Sequence, residues 1–252
     1  MVGISAHTST NGSSAAPLSQ QQPHGRHRAM FDDRIDAGRQ LASNLQEYAG
    51  SDSTVVLSVS RGGAVIGTTV AEKLGAHIPH IYYAVRAIPC TRLPRLSLGS
   101  VAGDGGVRID NTMVAGVSEE TARLGRVIKR TSRLVVAEQQ RFREQVDMAR
   151  LEGRTVIVVD DGIEAGDVMR EAIRHLKHGY RVGRVVVAVP VCLADLKRSL
   201  LRYADAVVDV VSSMCVGAVA RWYVGGVVAS EAEQWVLDRL FVGSSHSGFD
   251  CE

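Results

Sequence analysis

Along this chain, short apolar runs alternate with longer stretches of helical spacing. Thr54–Ser60, Thr155–Asp160 and Arg184–Pro190 are rich in valine and nearly free of charge in their interiors. Runs of that length and composition predict strands covered on both faces, as in a parallel sheet. Ile78–Val85 and Ala206–Val211 predict two more. Between them, Phe31–Tyr48 places Ile35, Leu41 and Leu45 at helical positions, and Ala64–Leu74 runs to a stop at Gly75. Residues 118–150 predict a long helix with Ser118 as N-cap and Glu119 and Glu120 in its first turn. Met169, Ala172, Ile173 and Leu176 mark another after Gly166. Strands alternating with helices predict an α/β fold, a doubly wound parallel sheet of about five or six strands. Residues 86–117 carry Pro89, Pro94, Gly99, Gly103, Gly105, Gly106 and Gly116. They follow neither period and are expected to form an irregular, functional or mobile stretch.

Composition narrows the function classes. With 252 residues, 45% hydrophobic and 22% charged, the chain can bury one sizeable core or two small ones. A formal charge of +2 gives no general drive toward nucleic acid or a membrane surface. No apolar run approaches the ~20 residues that span a bilayer. Cys90, Cys192, Cys215 and Cys251 lack metal-type spacing and are too sparse for a disulfide framework, which predicts free thiols in a reducing, cytoplasmic setting. Residues 1–29 are polar and contain no acidic residue, so a disordered tail is expected there, then a domain over 30–240 and a flexible C-terminus over 241–252. The basic residues of the 118–150 helix, among them Arg123, Arg126, Lys129, Arg130 and Arg133, are interspersed with acids. They predict a solvated face, or one turned toward a second subunit of a homodimer, rather than a nucleic-acid surface.

The chemistry concentrates in Thr155–Leu176, TVIVVDDGIEAGDVMREAIRHL. A buried strand, an acidic glycine-bearing turn and a helix N-terminus bring backbone N–H groups and the positive end of a helix dipole to one point. Asp160 and Asp161 fall at the carboxyl end of the strand, where open α/β sheets bind their ligands. The combination suits a ligand with a phosphate at one end and hydroxyls or a metal at the other. The Gly-x-Ser-x-Gly elbow of an α/β-hydrolase and the Gly-x-Gly-x-x-Gly turn of a dinucleotide-binding domain are both missing.

This segment resembles the motif by which type I phosphoribosyltransferases bind PRPP (5-phosphoribosyl-1-pyrophosphate). Val55–Gly63, VVLSVSRGG, resembles that family's strand and pyrophosphate loop. Phe31–Leu45, FDDRIDAGRQLASNL, and Ala220–Tyr223, ARWY, resemble the opening and closing segments of a bacterial-type subgroup. The resemblance covers about residues 31–240. It implies a small hood, drawn from residues near 31–50 and 212–240, over the sheet's carboxyl edge. It further implies transfer of ribose 5-phosphate from PRPP to a nitrogenous base with release of pyrophosphate and with Mg²⁺. Asp160 and Asp161 would hold the ribose hydroxyls, with the metal reaching the site through PRPP rather than through direct protein ligands. Gly162, Ile163, Glu164, Ala165, Gly166, Asp167 and Val168 would hold the 5-phosphate, Arg61, Gly62 and Gly63 the pyrophosphate. Glu164 would accept a proton from the base, and Arg86 would reach the leaving group from a mobile loop. Trp222 and Tyr223 would either stack on the base or belong to the hood core. Asp167 and Val168 depart from the family pattern, putting a carboxylate beside the phosphate and removing a hydroxyl donor. The alternative they motivate is a PRPP- or nucleotide-binding regulatory protein on the same fold, without turnover.

Overall fold

A computed structural model describes residues 30–90, 93, 97–110, 121–142, 147–163, 166–214, 218–226 and 228–242. The elements in chain order are α1 (Arg34–Ser43), β1 (Thr54–Ser58), α2 (Arg61–Leu74), β2 (His80–Tyr82), β3 (Val85–Pro89), β4 (Ser97–Ala102), β5 (Val107–Ile109), α3 (Thr121–Arg141), β6 (Thr155–Val159), α4 (Asp167–Gly179), β7 (Arg184–Leu193), α5 (Ala194–Leu200), β8 (Ala206–Ser213) and α6 (Glu231–Leu240). Short 3₁₀ turns occupy Gln46–Tyr48, Met148–Leu151 and Val219–Trp222.

Five strands form a parallel sheet in the order β2-β1-β6-β7-β8. The central pairing is in step, with Val55 opposite Val156 and Val156 opposite Val185. Successive side chains on a strand point to opposite faces, so each valine run supplies two cores. Val55, Leu57, Val156, Val158, Val185 and Val187 pack with Met169, Ile173 and Leu176 of α4 and Leu196 and Leu200 of α5. Val56, Ile157, Val159 and Val186 face Leu41 of α1, Leu45 just beyond it, and Ile66 and Val70 of α2. Helices therefore cover both faces, and the sheet is doubly wound as expected.

The stretch from 86 onward differs from expectation. Val85–Ile109 contains a three-stranded antiparallel sheet in the order β3-β4-β5. Its strands are three to six residues long and broken by a register shift between Ala87 and Pro89, so no clear period of two develops in the sequence. At Gly99 the φ is 151° and a Cβ would lie 2.1 Å from the carbonyl oxygen of Arg108, so the close approach of β4 to β5 requires glycine there. The small sheet rests on α3 and α4. Of that stretch, residues 91, 92, 94–96 and 111–117 lie outside the described residues, as do Ser118, Glu119 and Glu120.

Other boundaries move for identifiable reasons. The first helix starts at Arg34 because the Asp33 carboxylate accepts from the Asp36 N–H, and it ends at Ser43 instead of running to Tyr48. The second starts three residues early, at Arg61, because Ser60 caps it. The run expected as one strand over Ile78–Val85 holds only β2 of the large sheet, and its last residue opens β3 of the small one. The segment expected to be helical over 118–150 is an α-helix to Arg141 and a 3₁₀ turn at Met148–Leu151. α1 packs on α2, β7 and β8, covering a sheet face, and also meets α6. The domain also extends past 240. Phe241 is buried against Tyr82 and Phe142, and the N–H of Val242 donates to the carbonyl of Arg141. Residues 1–29 and 243–252 lie outside the described residues. Among the described residues no helix is long and apolar enough to cross a membrane.

Candidate functional site

β6 delivers Asp160 and Asp161 to the carboxyl edge of the sheet, between the starts of α2 and α4. The Asp160 carboxylate accepts from the Ser60 hydroxyl at 2.5 Å and from the Asp161 N–H at 2.9 Å. Ser60 in turn accepts from the Gly63 N–H at 2.9 Å, so one hydroxyl caps α2 and links it to the acid pair. Burial, and then the neighbouring charge of Asp161, push the Asp160 carboxyl well above the usual carboxylate range. A strongly perturbed acid at a sheet's carboxyl edge is a mark of a functional site.

Asp161 has a different environment. Its Oδ2 accepts from Arg34 Nε at 2.9 Å, and its main-chain oxygen accepts from the Tyr223 hydroxyl at 2.6 Å. Arg34 is 1% exposed. Its Nη1 lies 3.6 Å from Glu233 Oε1 and donates to the Gly226 carbonyl at 3.4 Å, and its guanidinium lies 4.6 Å from the centre of the Tyr223 ring. Glu233 also accepts from the Arg34 main-chain N–H at 2.7 Å, while its other oxygen completes a capping box with Ser230. Burial alone would lower the Arg34 pKa, but Asp161, Tyr223 and Glu233 raise it, and the group stays cationic.

The glycines expected to cradle an anion pack closely against the acid pair. Arg61, Gly62 and Gly63 form the first turn of α2, packed against the acid pair. A Cβ on Gly62 would lie 2.2 Å from Asp161 Oδ2, and one on Gly63 would lie 2.9 Å from the Val159 carbonyl oxygen. The Arg61 guanidinium lies 5.0 Å over the Phe241 ring, and its Nη2 is buried with no hydrogen-bond partner among the described residues.

On the other side, Ile163 continues toward β7, its N–H donating to the Val191 carbonyl. Gly162 lies against Val219, and Gly166, with φ 77°, opens α4 as its N-cap. Glu164 and Ala165 fall outside the described residues. Asp167 is the first residue of α4, not its cap, and pairs with Arg170 one turn later, so its charge at the helix N-terminus is offset from within the helix. Val168 leans partly on the α4 face core.

One expectation changes with its surroundings, and another that was left open meets a buried environment. Arg86 belongs to β3 rather than to a mobile loop, and its Nε and Nη2 donate to Glu138 Oε2 of α3 at 3.2 and 3.1 Å. Trp222 and Tyr223 are 6% and 3% exposed, inside the core shared with α1 and α2. Of the two readings left open for this pair, stacking on a base or hood core, their burial fits the second. What the sequence reading missed is Arg34, Ser60 and Glu233. Arg34 stood within the FDDR run, and its only local signal was a cation at the start of an otherwise amphipathic helix.

A scan against protein-family models finds no match. The chain is 32% identical over 220 residues to a Mycobacterium tuberculosis H37Rv protein named "Putative phosphoribosyl transferase Rv0571c", and equally to "Putative phosphoribosyl transferase MT0597" of strain CDC 1551. The alignment takes in 87% of this chain and 49% of each relative, so the chain spans about half the length of the curated relatives it matches. Among solved structures, that of TT1426 from Thermus thermophilus is similar with a TM-score of 0.65 and 27% identity, over 82% of this chain and 98% of that one. In sequence, then, the chain is similar to proteins named putative phosphoribosyl transferases, and it carries the doubly wound sheet and the acidic strand-to-helix turn on which the resemblance rests.

Proposed function

We propose that the chain transfers the 5-phosphoribosyl group of PRPP to a nitrogen nucleophile and releases pyrophosphate. The observation that carries this reading is the acid pair at the carboxyl end of β6, set between the glycine-bearing first turn of α2 and the N-terminus of α4. On this reading Asp160 and Asp161 bind the ribose hydroxyls, and the N–H groups opening α4 bind the 5-phosphate with the help of the helix dipole. The α2 turn receives the pyrophosphate. Glu164 is the proposed proton acceptor from the base. Negative charge beneath the sugar would favour the cationic character that develops at its anomeric carbon.

Among the described residues no group of three or more His, Cys, Asp or Glu side chains could hold a metal ion. The acid pair offers carboxylate oxygens only. That donor set fits Mg²⁺, which keeps several waters and binds through one or two carboxylates plus substrate phosphates. When bound it would neutralise charge on the departing pyrophosphate.

A second reading, a PRPP- or nucleotide-binding regulatory protein without turnover, is favoured by one observation. Asp167 heads α4 beside the proposed 5-phosphate position, and Arg170, which could otherwise attract that phosphate, is paired with it. Calorimetric titration with PRPP plus Mg²⁺, with ribose 5-phosphate for comparison, tests both. Micromolar, Mg²⁺-dependent binding supports the PRPP site, and base-dependent release of pyrophosphate then distinguishes enzyme from sensor. Binding of neither ligand would refute the transferase and leave a regulator that binds a nucleotide other than PRPP as the leading reading. Replacing Asp167 by Ala together with Val168 by Thr is expected to strengthen PRPP binding.

A further inference from the structure

An arginine 1% exposed is held by groups from distant parts of the chain: Asp161 after β6, Tyr223 and Gly226 before α6, and Glu233 within it. A buried ion pair of this kind seldom adds stability over apolar packing of the same volume. Its effect here is on geometry. Arg34 Nε takes one carboxylate oxygen of Asp161, and the Tyr223 hydroxyl takes the main-chain oxygen of the same residue. Both ends of Asp161 are thereby fixed. Gly62 leaves the space in which the carboxylate sits, since a Cβ there would meet Asp161 Oδ2 at 2.2 Å and Arg34 Nε at 3.1 Å.

We propose that Arg34 is a positioning residue that orients the Asp161 carboxylate for the ribose hydroxyls of the ligand. It makes sugar recognition depend on the docked C-terminal segment that carries Tyr223, Gly226 and Glu233. The inference rests on the phosphoribosyl reading above. Arg34 acts on the sugar end of the site through Asp161 and supplies no contact to the pyrophosphate. Lysine would keep the positive charge. It could not hold Asp161, reach the Gly226 carbonyl and lie flat on the Tyr223 ring at once, because those contacts use a planar, forked guanidinium.

The test titrates the full chain, Arg34→Lys and Tyr223→Phe with three probes: PRPP plus Mg²⁺, ribose 5-phosphate, and inorganic pyrophosphate plus Mg²⁺. Circular dichroism checks that each variant is folded. Arg34→Lys is expected to weaken both sugar ligands by roughly tenfold or more while changing pyrophosphate by no more than about twofold, since a misplaced charge-assisted contact is lost but the net charge is kept. Tyr223→Phe keeps the ring beneath the guanidinium and removes the bond to the Asp161 carbonyl. It is expected to show the same sugar-selective pattern to a smaller extent, and it carries the test if the lysine variant does not fold. A uniform loss across the three probes, or wild-type affinities in both variants, would overturn the assignment. If the unmodified chain binds neither PRPP nor ribose 5-phosphate, the phosphoribosyl reading falls and Arg34's role falls with it. If it binds both and the variants match it, only Arg34's role falls.

Discussion

Gly62→Ala should break the site by crowding one side chain, and a double-mutant cycle can show it. The added Cβ would lie 2.2 Å from Asp161 Oδ2 and 2.6 Å from its Cγ. Ordinary contact would require the carboxylate to move by more than 1 Å, on the order of what separates a hydrogen bond from none. A free aspartate would swing away at little cost, but this one is tied to Arg34 at 2.9 Å. Breaking a buried pair costs about 3–5 kcal/mol because a charge is left unpaired. The Asp161 side chain is 20% exposed, and Arg34 keeps Glu233, so the cost extends from the lower part of that range to somewhat below it. We expect Gly62→Ala to cost about 2–4 kcal/mol, or roughly 4–16 °C in Tm at 2–4 °C per kcal/mol for a domain of this size. In an Asp161→Ala background the clash disappears, and the nearest remaining atom is Arg34 Nε at 3.1 Å, on a side chain able to shift by a few tenths of an ångström. The cost of Gly62→Ala should then fall below about 1 kcal/mol, leaving a coupling of about 2 kcal/mol. Urea denaturation of the four proteins measures it. Costs that add to within about 0.5 kcal/mol would refute the argument that Gly62 exists to make room for Asp161.

Other consequences can be checked separately. The Asp160 carboxyl is raised by burial and by Asp161's charge, so between the unfolded value, about 3.9, and the raised folded value the native state binds more protons than the unfolded chain. Stability should therefore fall as pH rises through that window, and Asp160→Asn should flatten the fall and stabilise the protein at alkaline pH while impairing PRPP binding; thermal unfolding at several pH values reads it. Gly166→Ala combines a left-handed φ of 77° with a Cβ 2.5 Å from Leu196 Cδ1. It should destabilise by about 1–2 kcal/mol from the backbone alone, measured by chemical denaturation. Phe241→Ala should cost about 3–5 kcal/mol, since the ring is 1% exposed among Tyr82 and Phe142. Truncation after Leu240 should cost at least as much in the same assay.

How far the sequence could be read depended on whether a residue's role is local. Val55–Leu57, Val156–Val159 and Val185–Val189 are apolar at every position because both faces of their strands are buried, and a run of that kind is visible without any partner. Met169, Ala172, Ile173 and Leu176 show α4 by spacing alone. The antiparallel strands hid because Gly99 and Pro89 punctuate them, and because β5 has only three residues. Arg34 hid for a different reason. Its burial is created by Asp161, 127 residues away, and by Glu233, 199 away. No window along the chain contains both. Arg86 was misplaced by the same blindness, since Glu138 lies 52 residues further on. The acid pair was legible because its strand, turn and helix are contiguous, whereas the groups that hold it in place are not.

The joining of Arg34 to Tyr223 and Glu233 also sets an order in time. During synthesis α1, β1 and β6 emerge long before the segment from Val219 to Leu240, whereas a domain generally folds as a unit. An emerging chain that has just completed β8 already has every strand of the large sheet and both aspartates, but lacks the ring, the carbonyl and the carboxylate that hold Arg34. The strands and the acid pair are thus available early, whereas the groups that fix Asp161 through Arg34 arrive only with the last helix described.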